Sequence, residues 1–271
     1  MPPAHPRLLR FARQKFDSLA SNGPHQFAAK FALSIYGADA VCSFIPKNAC
    51  STLRYSIALA NGVLAGPEDF DWIHTNNQVF KADMAALAKA RYTFVVLRDP
   101  FLRIVSCFLD KMLNQKPLAW QFHTLTDSKI TPAMLTFRDF IGQLRPLLQA
   151  NEHWRPQGEF LVYQDYDDYF CVEQFDDAVA VLRNRIGLTV YDTRGLAQHG
   201  LDRFTPLEGD ETFADTPVHT LAALQRSGRV PRAAQLFDAA LIAQVARLYA
   251  ADIALYKRVI GRPCVFGAGS K

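Results

Sequence analysis

An α/β fold built on a mostly parallel sheet is predicted by three observations. Short apolar runs of strand length recur along the 271 residues. Each is followed by a stretch with helical spacing, and Pro, Gly or Asn stands at the borders between them. The first run, Ala40-Val-Cys-Ser-Phe-Ile45, is bounded by Pro46 and reads as a buried strand. From Thr52 to Ala60 the apolar residues Leu53, Ile57 and Ala60 fall on one helical face, and Asn61-Gly62 stops the helix. Tyr92–Leu97 is a second buried strand, and Pro100 opens a helix over Phe101–Leu113, as proline does in a first turn.

Leu161-Val162-Tyr163 reads as a third, weaker strand, followed by a helix near Val172–Ile186 that ends at Gly187. Thr216-Pro217 reads as a cap followed by a first-turn proline, with Gly228 as the stop. One long helix is predicted over Ala233–Val259, because Phe237, Leu241, Val245, Leu248, Ile253 and Tyr256 form an apolar stripe. With no repeat and no linker-like stretch, the chain reads as one domain over 39–262. A helical lead over 1–38 precedes it, and a tail over 263–271 follows.

Composition narrows the function. Apolar residues at 49% and charged residues at 21% describe an ordinary globular chain, not a disordered one. A net charge of +4 with no concentrated basic stripe argues against nucleic acid as a partner. The five cysteines are odd in number and lack CxxC spacing, which suits reduced thiols and a cytoplasmic location. Arg, Lys and Asp interrupt the N-terminal stretch, so neither a secretory leader nor a membrane span is expected there. Leu8–Leu19 suits a basic amphipathic helix, packed on the domain surface or in weak contact with a membrane surface.

In parallel sheets ligands gather at the carboxyl ends of the strands, which directs attention to two strand-to-helix turns. In the first, Pro46-Lys47-Asn48-Ala49-Cys50-Ser51-Thr52, a helix N-terminus offers N–H groups and a positive dipole end to an anion. Lys47 adds charge, and Ser51 and Thr52 add hydroxyls. The order is not that of a Gly-x-x-x-x-Gly-Lys-Ser/Thr loop, since the lysine comes first. Taken alone, the heptad also fits a surface lysine followed by a Ser/Thr cap, and Cys50 a thiol activated by the helix end. In the second turn, Arg98 ends a strand and Ser106 lies eight residues on, two turns into the next helix. An Arg fork and a hydroxyl suit a phosphate. An Arg98–Asp99 surface pair is the alternative.

Taken together, in this order and about fifty residues apart, the two turns resemble those of the sulfotransferases that use 3′-phosphoadenosine 5′-phosphosulfate (PAPS). The first is similar to that family's 5′-phosphosulfate loop. Arg98-Asp-Pro-Phe-Leu-Arg103-Ile-Val-Ser106-Cys-Phe-Leu-Asp110-Lys111 is similar to its 3′-phosphate motif, in a wording found in the carbohydrate sulfotransferases that include the chondroitin and dermatan 4-O-sulfotransferases. Glu152-His153-Trp154-Arg155-Pro156 resembles their HWxP segment, and Leu248–Tyr256 their C-terminal ending. The chain departs from the pattern in carrying Asn48-Ala49 where many relatives have a small residue and Gly, in lacking their N-terminal anchor, and in having fewer cysteines.

The resemblance implies a three-layer, P-loop-like fold and in-line transfer of a sulfuryl group from PAPS to a hydroxyl, most readily that of a carbohydrate, releasing 3′-phosphoadenosine 5′-phosphate (PAP) without a metal. Lys47 would offset charge on the leaving phosphate, and Asn48, Ala49, Cys50, Ser51 and Thr52 would cradle the 5′-phosphosulfate. Arg98 and Ser106 would hold the 3′-phosphate, with Tyr163 near the adenine. The acceptor needs a base, for which His74 is the first candidate and His153 the competitor, with Asp71 and Glu152 behind them. Trp72, Trp120 and Trp154 are candidates for stacking on sugar faces. Two rival readings are a P-loop phosphotransferase and a non-catalytic protein of the same fold that binds nucleotide or glycan.

Overall fold

The computed structural model describes residues 6–12, 18–76, 78–113, 117–126, 129–196 and 203–266. In chain order the elements are α1 (Gly23–Lys30), β1 (Ala32–Ile35), β2 (Ala40–Ser43), α2 (Cys50–Ala60), α3 (Trp72–Thr75), α4 (Met84–Lys89), β3 (Tyr92–Leu97), α5 (Pro100–Lys111), α6 (Pro117–Leu125), α7 (Phe137–Gln143), β4 (Asp168–Cys171), α8 (Phe175–Ile186), β5 (Thr205–Pro206), α9 (Val218–Arg226), β6 (Arg229–Val230), α10 (Ala239–Leu248) and α11 (Ala250–Ile260). The chain forms two compact units, one made of Met1–Arg98 and Gln157–Ala197, the other of Asp99–Pro156 and Gln198–Lys271.

The first unit is a mixed α/β structure around a four-stranded sheet of order β1-β2-β3-β4. β2, β3 and β4 run parallel, with Ala40 opposite Tyr92 and Phe94 opposite Asp168, and β1 is an antiparallel edge. All six residues of β3 are buried, as expected of a parallel strand covered on both faces. Helices flank this sheet, α4 packing on β2 and α8 on β4. Burying a Phe94 or Leu97 side chain contributes about 1.5–3 kcal/mol, so β3 is a firm platform for the residue that follows it. This is the mostly parallel, helix-flanked arrangement that the sequence predicts.

The third strand lies elsewhere than predicted. Leu161-Val162-Tyr163 is fully buried, but it meets the N-terminal segment instead of the sheet, through an antiparallel bridge from Leu9 to Tyr163 and a hydrogen bond from Arg10 N–H to Val162 O. The sheet takes Asp168–Cys171, a mostly half-exposed strand whose polar start hid it. The same bridge corrects the N-terminal helix expected over Leu8–Leu19. Residues 9–12 form a bridge and a turn, and 13–17 lie outside the described residues. The lead also contributes α1 and the edge strand β1.

Among the described residues the second unit is largely helical, with only a two-residue parallel pair, β5 with β6. Its core is aromatic. Phe108 packs on Phe137 and Phe140, Phe122 on Phe140 and Trp154, and Phe101 and Phe137 both on Phe237. The single long helix predicted over Ala233–Val259 is broken into a 3-10 turn, α10 and α11. Asp238 starts α10 afresh by accepting from Leu241 N–H at 2.8 Å, after Phe237 in extended backbone. Tyr249 ends it because its buried hydroxyl donates to Trp154 O at 2.6 Å, and α11 leaves at 82°. α9 is capped by Pro217 with no side-chain bond, so Thr216 is not the cap expected. Among the described residues no single helix is long and apolar enough to cross a membrane. Only the bent pair α10–α11 passes on length and composition.

Candidate active site

The turn between β2 and α2 is strained. Lys47 (φ 73°) and Ala49 (φ 53°) both hold left-handed backbone without being glycine. Each such residue costs roughly 1–2 kcal/mol, and conformations of this kind collect at functional sites. What holds the turn is the residue between them. Asn48 is fully buried and its Nδ2 donates to Val96 O at 3.0 Å and to Gln157 Oε1 at 2.6 Å. Its backbone N–H donates to Ile45 O at 3.1 Å. Both side-chain partners are acceptors, which fixes the amide orientation and leaves Oδ1 buried without a hydrogen-bond partner.

The turn delivers the start of α2 uncapped by any side chain. The first intrahelical bond runs from Leu53 N–H to Ala49 O, so the N–H groups of Cys50, Ser51 and Thr52 precede it. Lys47, Cys50, Ser51 and Thr52 are all half-buried there. Thr52 Oγ1 meets Thr193 Oγ1 at 2.6 Å, and Ser56 Oγ accepts from Tyr191 N–H at 2.9 Å, so the segment after α8 lies along α2. The sequence reading passed over Arg54, in the second turn of α2. Its guanidinium sits 5.4 Å over the Phe44 ring, and burial, opposed by Cys50, pulls its pKa below the ordinary arginine value.

The structure brings together Lys47 and Arg98, one from each predicted turn. Arg98, the residue after β3, donates through Nη1 to Lys47 O at 2.9 Å. Its main chain is held in turn by Gln157, whose Oε1 accepts from Arg98 N–H at 3.0 Å while Nε2 donates to Arg98 O at 2.9 Å. Nothing in the sequence marked Gln157.

Other predicted residues have different surroundings. Asn48 turns inward and so cannot cradle a ligand with its side chain, nor with its N–H. Tyr163 is fully buried, with its hydroxyl on Leu87 O at 2.9 Å and its ring against Tyr166, so it presents no face to an adenine. His74 is exposed on α3, edge-on to Phe70 at 5.7 Å. Trp72 is half-buried beside Phe80.

The remaining residues lie in the second unit. Asp99 is buried and caps α5, accepting from Phe101 N–H at 2.8 Å through Oδ1 and from Val265 N–H at 2.6 Å through Oδ2. It is a buried cap, not a surface residue. Arg103, only 2% exposed, donates to Arg155 O at 2.7 Å and Glu152 O at 3.0 Å. Its charge therefore anchors the 152–155 segment, and Lys111 is paired with Asp110 at 3.0 Å. Ser106 is buried on α5. Trp154 is fully buried, its Nε1 donating to Leu147 O at 2.8 Å, which removes it as a sugar-stacking surface, whereas Trp120 is exposed.

His153 is half-buried and held by Asn151. Asn151 Oδ1 accepts from His153 N–H at 3.0 Å and lies 2.9 Å from His153 Nδ1, while Asn151 Nδ2 donates to Gln121. With Asn151 Oδ1 as the acceptor, this contact places a proton on Nδ1 and orients the ring. Among the described residues no group of three or more His, Cys, Asp or Glu could hold a metal ion.

A model of the sulfotransferase family matches residues 40–257, a span that runs from β2 to α11 and includes both turns. Comparison with curated proteins and with solved structures gives no match to either.

Proposed function

Because the chain belongs to the sulfotransferase family and so transfers a sulfuryl group, we propose that its donor is PAPS and its acceptor a carbohydrate hydroxyl. The observation that carries the donor reading is the Arg98–Lys47 contact, which ties the residue after β3 to the turn before α2 within one unit. Sulfuryl transfer needs in-line placement and neutralisation of the charge that develops on the leaving phosphate. Lys47 supplies that charge. The N–H groups of Cys50, Ser51 and Thr52 and the dipole of α2 receive the 5′-phosphosulfate. Arg98 receives the 3′-phosphate, and the sequence motif adds Ser106 as a second donor to it.

The acceptor proton goes to a histidine. The resemblance to the carbohydrate sulfotransferases points to His74. The Asn151 contact favours His153, because it orients the ring through Nδ1 as a base needs. A carbohydrate acceptor is supported by the resemblance of the Arg98–Lys111 and Glu152–Pro156 segments to the carbohydrate sulfotransferases.

Incubation with PAPS labelled in its sulfate, against a panel of mono- and oligosaccharides, tests the reading. Label is expected on an acceptor without added Mg²⁺, and Lys47→Ala should depress turnover more than PAP affinity. Label that stays on PAPS with every acceptor, or phosphate transfer from ATP instead, would overturn it.

A further inference from the structure

We propose that Gln157 is a positioning residue for donor binding: its side-chain amide, bonded to both backbone groups of Arg98 and to Asn48, sets the geometry in which Arg98 and Lys47 present themselves to the donor. The inference rests on the PAPS reading above and extends it to a residue that touches no ligand.

Gln157 is 1% exposed and opens a one-turn 3-10 helix, Gln157–Phe160. The β3–β4 pairing runs from Phe94 opposite Asp168 to Leu97 opposite Cys171 and stops there, one residue short of Arg98. Gln157 supplies the missing position, accepting from the Arg98 N–H and donating to the Arg98 carbonyl as a neighbouring strand would. The strand-end backbone is thereby fixed where the arginine side chain begins.

The same Oε1 takes the 2.6 Å bond from Asn48 Nδ2, and Asn48 sits between the two left-handed residues. The contacts close a ring: Gln157 to Arg98 main chain, Arg98 guanidinium to Lys47 carbonyl, the Lys47–Asn48 peptide, and Asn48 amide back to Gln157. Both amides are neutral, so the ring orients two cationic side chains without adding a charge that competes for phosphate.

Stability alone does not explain it. A buried Asn48 Oδ1 with no hydrogen bond and two strained residues are costs that an apolar pair of similar volume would avoid. Neither amide is directed at a ligand: Asn48 donates inward to Val96 and Gln157, and both ends of Gln157 are engaged by Arg98 and Asn48.

The test uses Gln157→Leu and Gln157→Glu with PAP calorimetry and steady-state kinetics. The leucine variant should retain its fold by circular dichroism and lose at least tenfold in PAP affinity. Its PAPS KM should rise by a similar factor while the acceptor KM holds. The glutamate variant carries a pH signature that a merely structural role lacks. Protonated, its carboxyl accepts from Arg98 N–H and donates to Arg98 O as the amide does; ionised, it has no proton for that carbonyl. Its PAP affinity, relative to wild type at each pH, should recover as pH falls and drop as pH rises. Should the leucine variant fail to fold, this profile decides alone. Folded variants that bind PAP within twofold of wild type at every pH would overturn the inference while leaving the donor reading intact. A wild-type protein that binds no PAP would overturn both.

Discussion

The Arg98 guanidinium donates to the Lys47 carbonyl at 2.9 Å across 51 residues of sequence, so one side chain ties the end of β3 to the strained turn before α2. A charged donor to a carbonyl within a half-buried site is among the stronger hydrogen bonds available. Arg98→Ala removes it together with the fork proposed for the 3′-phosphate. PAP affinity, read by calorimetry, is expected to fall by about 1.5–3 kcal/mol. An unchanged affinity would remove Arg98 from the donor site.

Ala49 holds φ 53° at the N-cap of α2, a conformation that glycine adopts without steric cost. Ala49→Gly is expected to stabilise the protein by about 1 kcal/mol, after the entropy that glycine gains in the unfolded chain is offset against the relieved strain. Urea unfolding measures this, with activity retained. A destabilised Gly variant would mean that the Ala49 methyl packs more usefully than its backbone strain costs.

The base assignment separates by three variants. If His153 takes the acceptor proton, His153→Ala collapses turnover with PAP affinity near wild type, and Asn151→Ala lowers kcat by letting the imidazole choose the wrong tautomer. Under that assignment His74→Ala stays near full activity. A collapse in His74→Ala with an active His153→Ala would reverse the order.

Asp167 ties the N-terminal segment to β3. Its Oδ2 accepts from Arg7 Nη2 at 2.6 Å, Thr93 N–H at 2.7 Å and Thr93 Oγ1 at 3.0 Å, and both members of the ion pair are buried. Burial alone would raise the carboxyl pKa, but the Arg7 and Thr93 bonds together hold it below the ordinary aspartate value. A depressed folded-state pKa gives stability that is present above the unfolded value of about 4 and is lost as pH falls through the folded one. Asp167→Asn is expected to cost about 3–5 kcal/mol at neutral pH. It should also flatten the acid limb of stability against pH. An acid limb as steep as wild type would show that Asp167 is not responsible for it.

Local signals explain which parts were legible. β3 reads directly because six consecutive buried residues leave no ambiguity of face. The start of α5 was visible in Pro100, and the ends of α8 and α9 in Gly187 and Gly228, because φ of 66° and 82° favour glycine. The candidate site showed in the sequence as two turns carrying Lys47 and Arg98. Its inner order was not. A polar Asn48 in a loop reads as solvated, and its burial depends on Gln157, 109 residues away. Arg103 reads as a surface cation until the carbonyls of Glu152 and Arg155 are found beside it. The break between α10 and α11 was hidden because the apolar stripe continues through it. Only the Tyr249 hydroxyl, seeking Trp154 O, marks where the helix must turn.

The central claim is that the linked turns recognise both ends of a doubly phosphorylated adenosine. Calorimetry of the wild-type protein with PAP against adenosine 5′-monophosphate, which differs only by the 3′-phosphate, tests it most directly. PAP is expected to bind roughly 10- to 100-fold more tightly, the equivalent of one or more charge-assisted hydrogen bonds. Equal affinities, or no binding of either, would contradict the account.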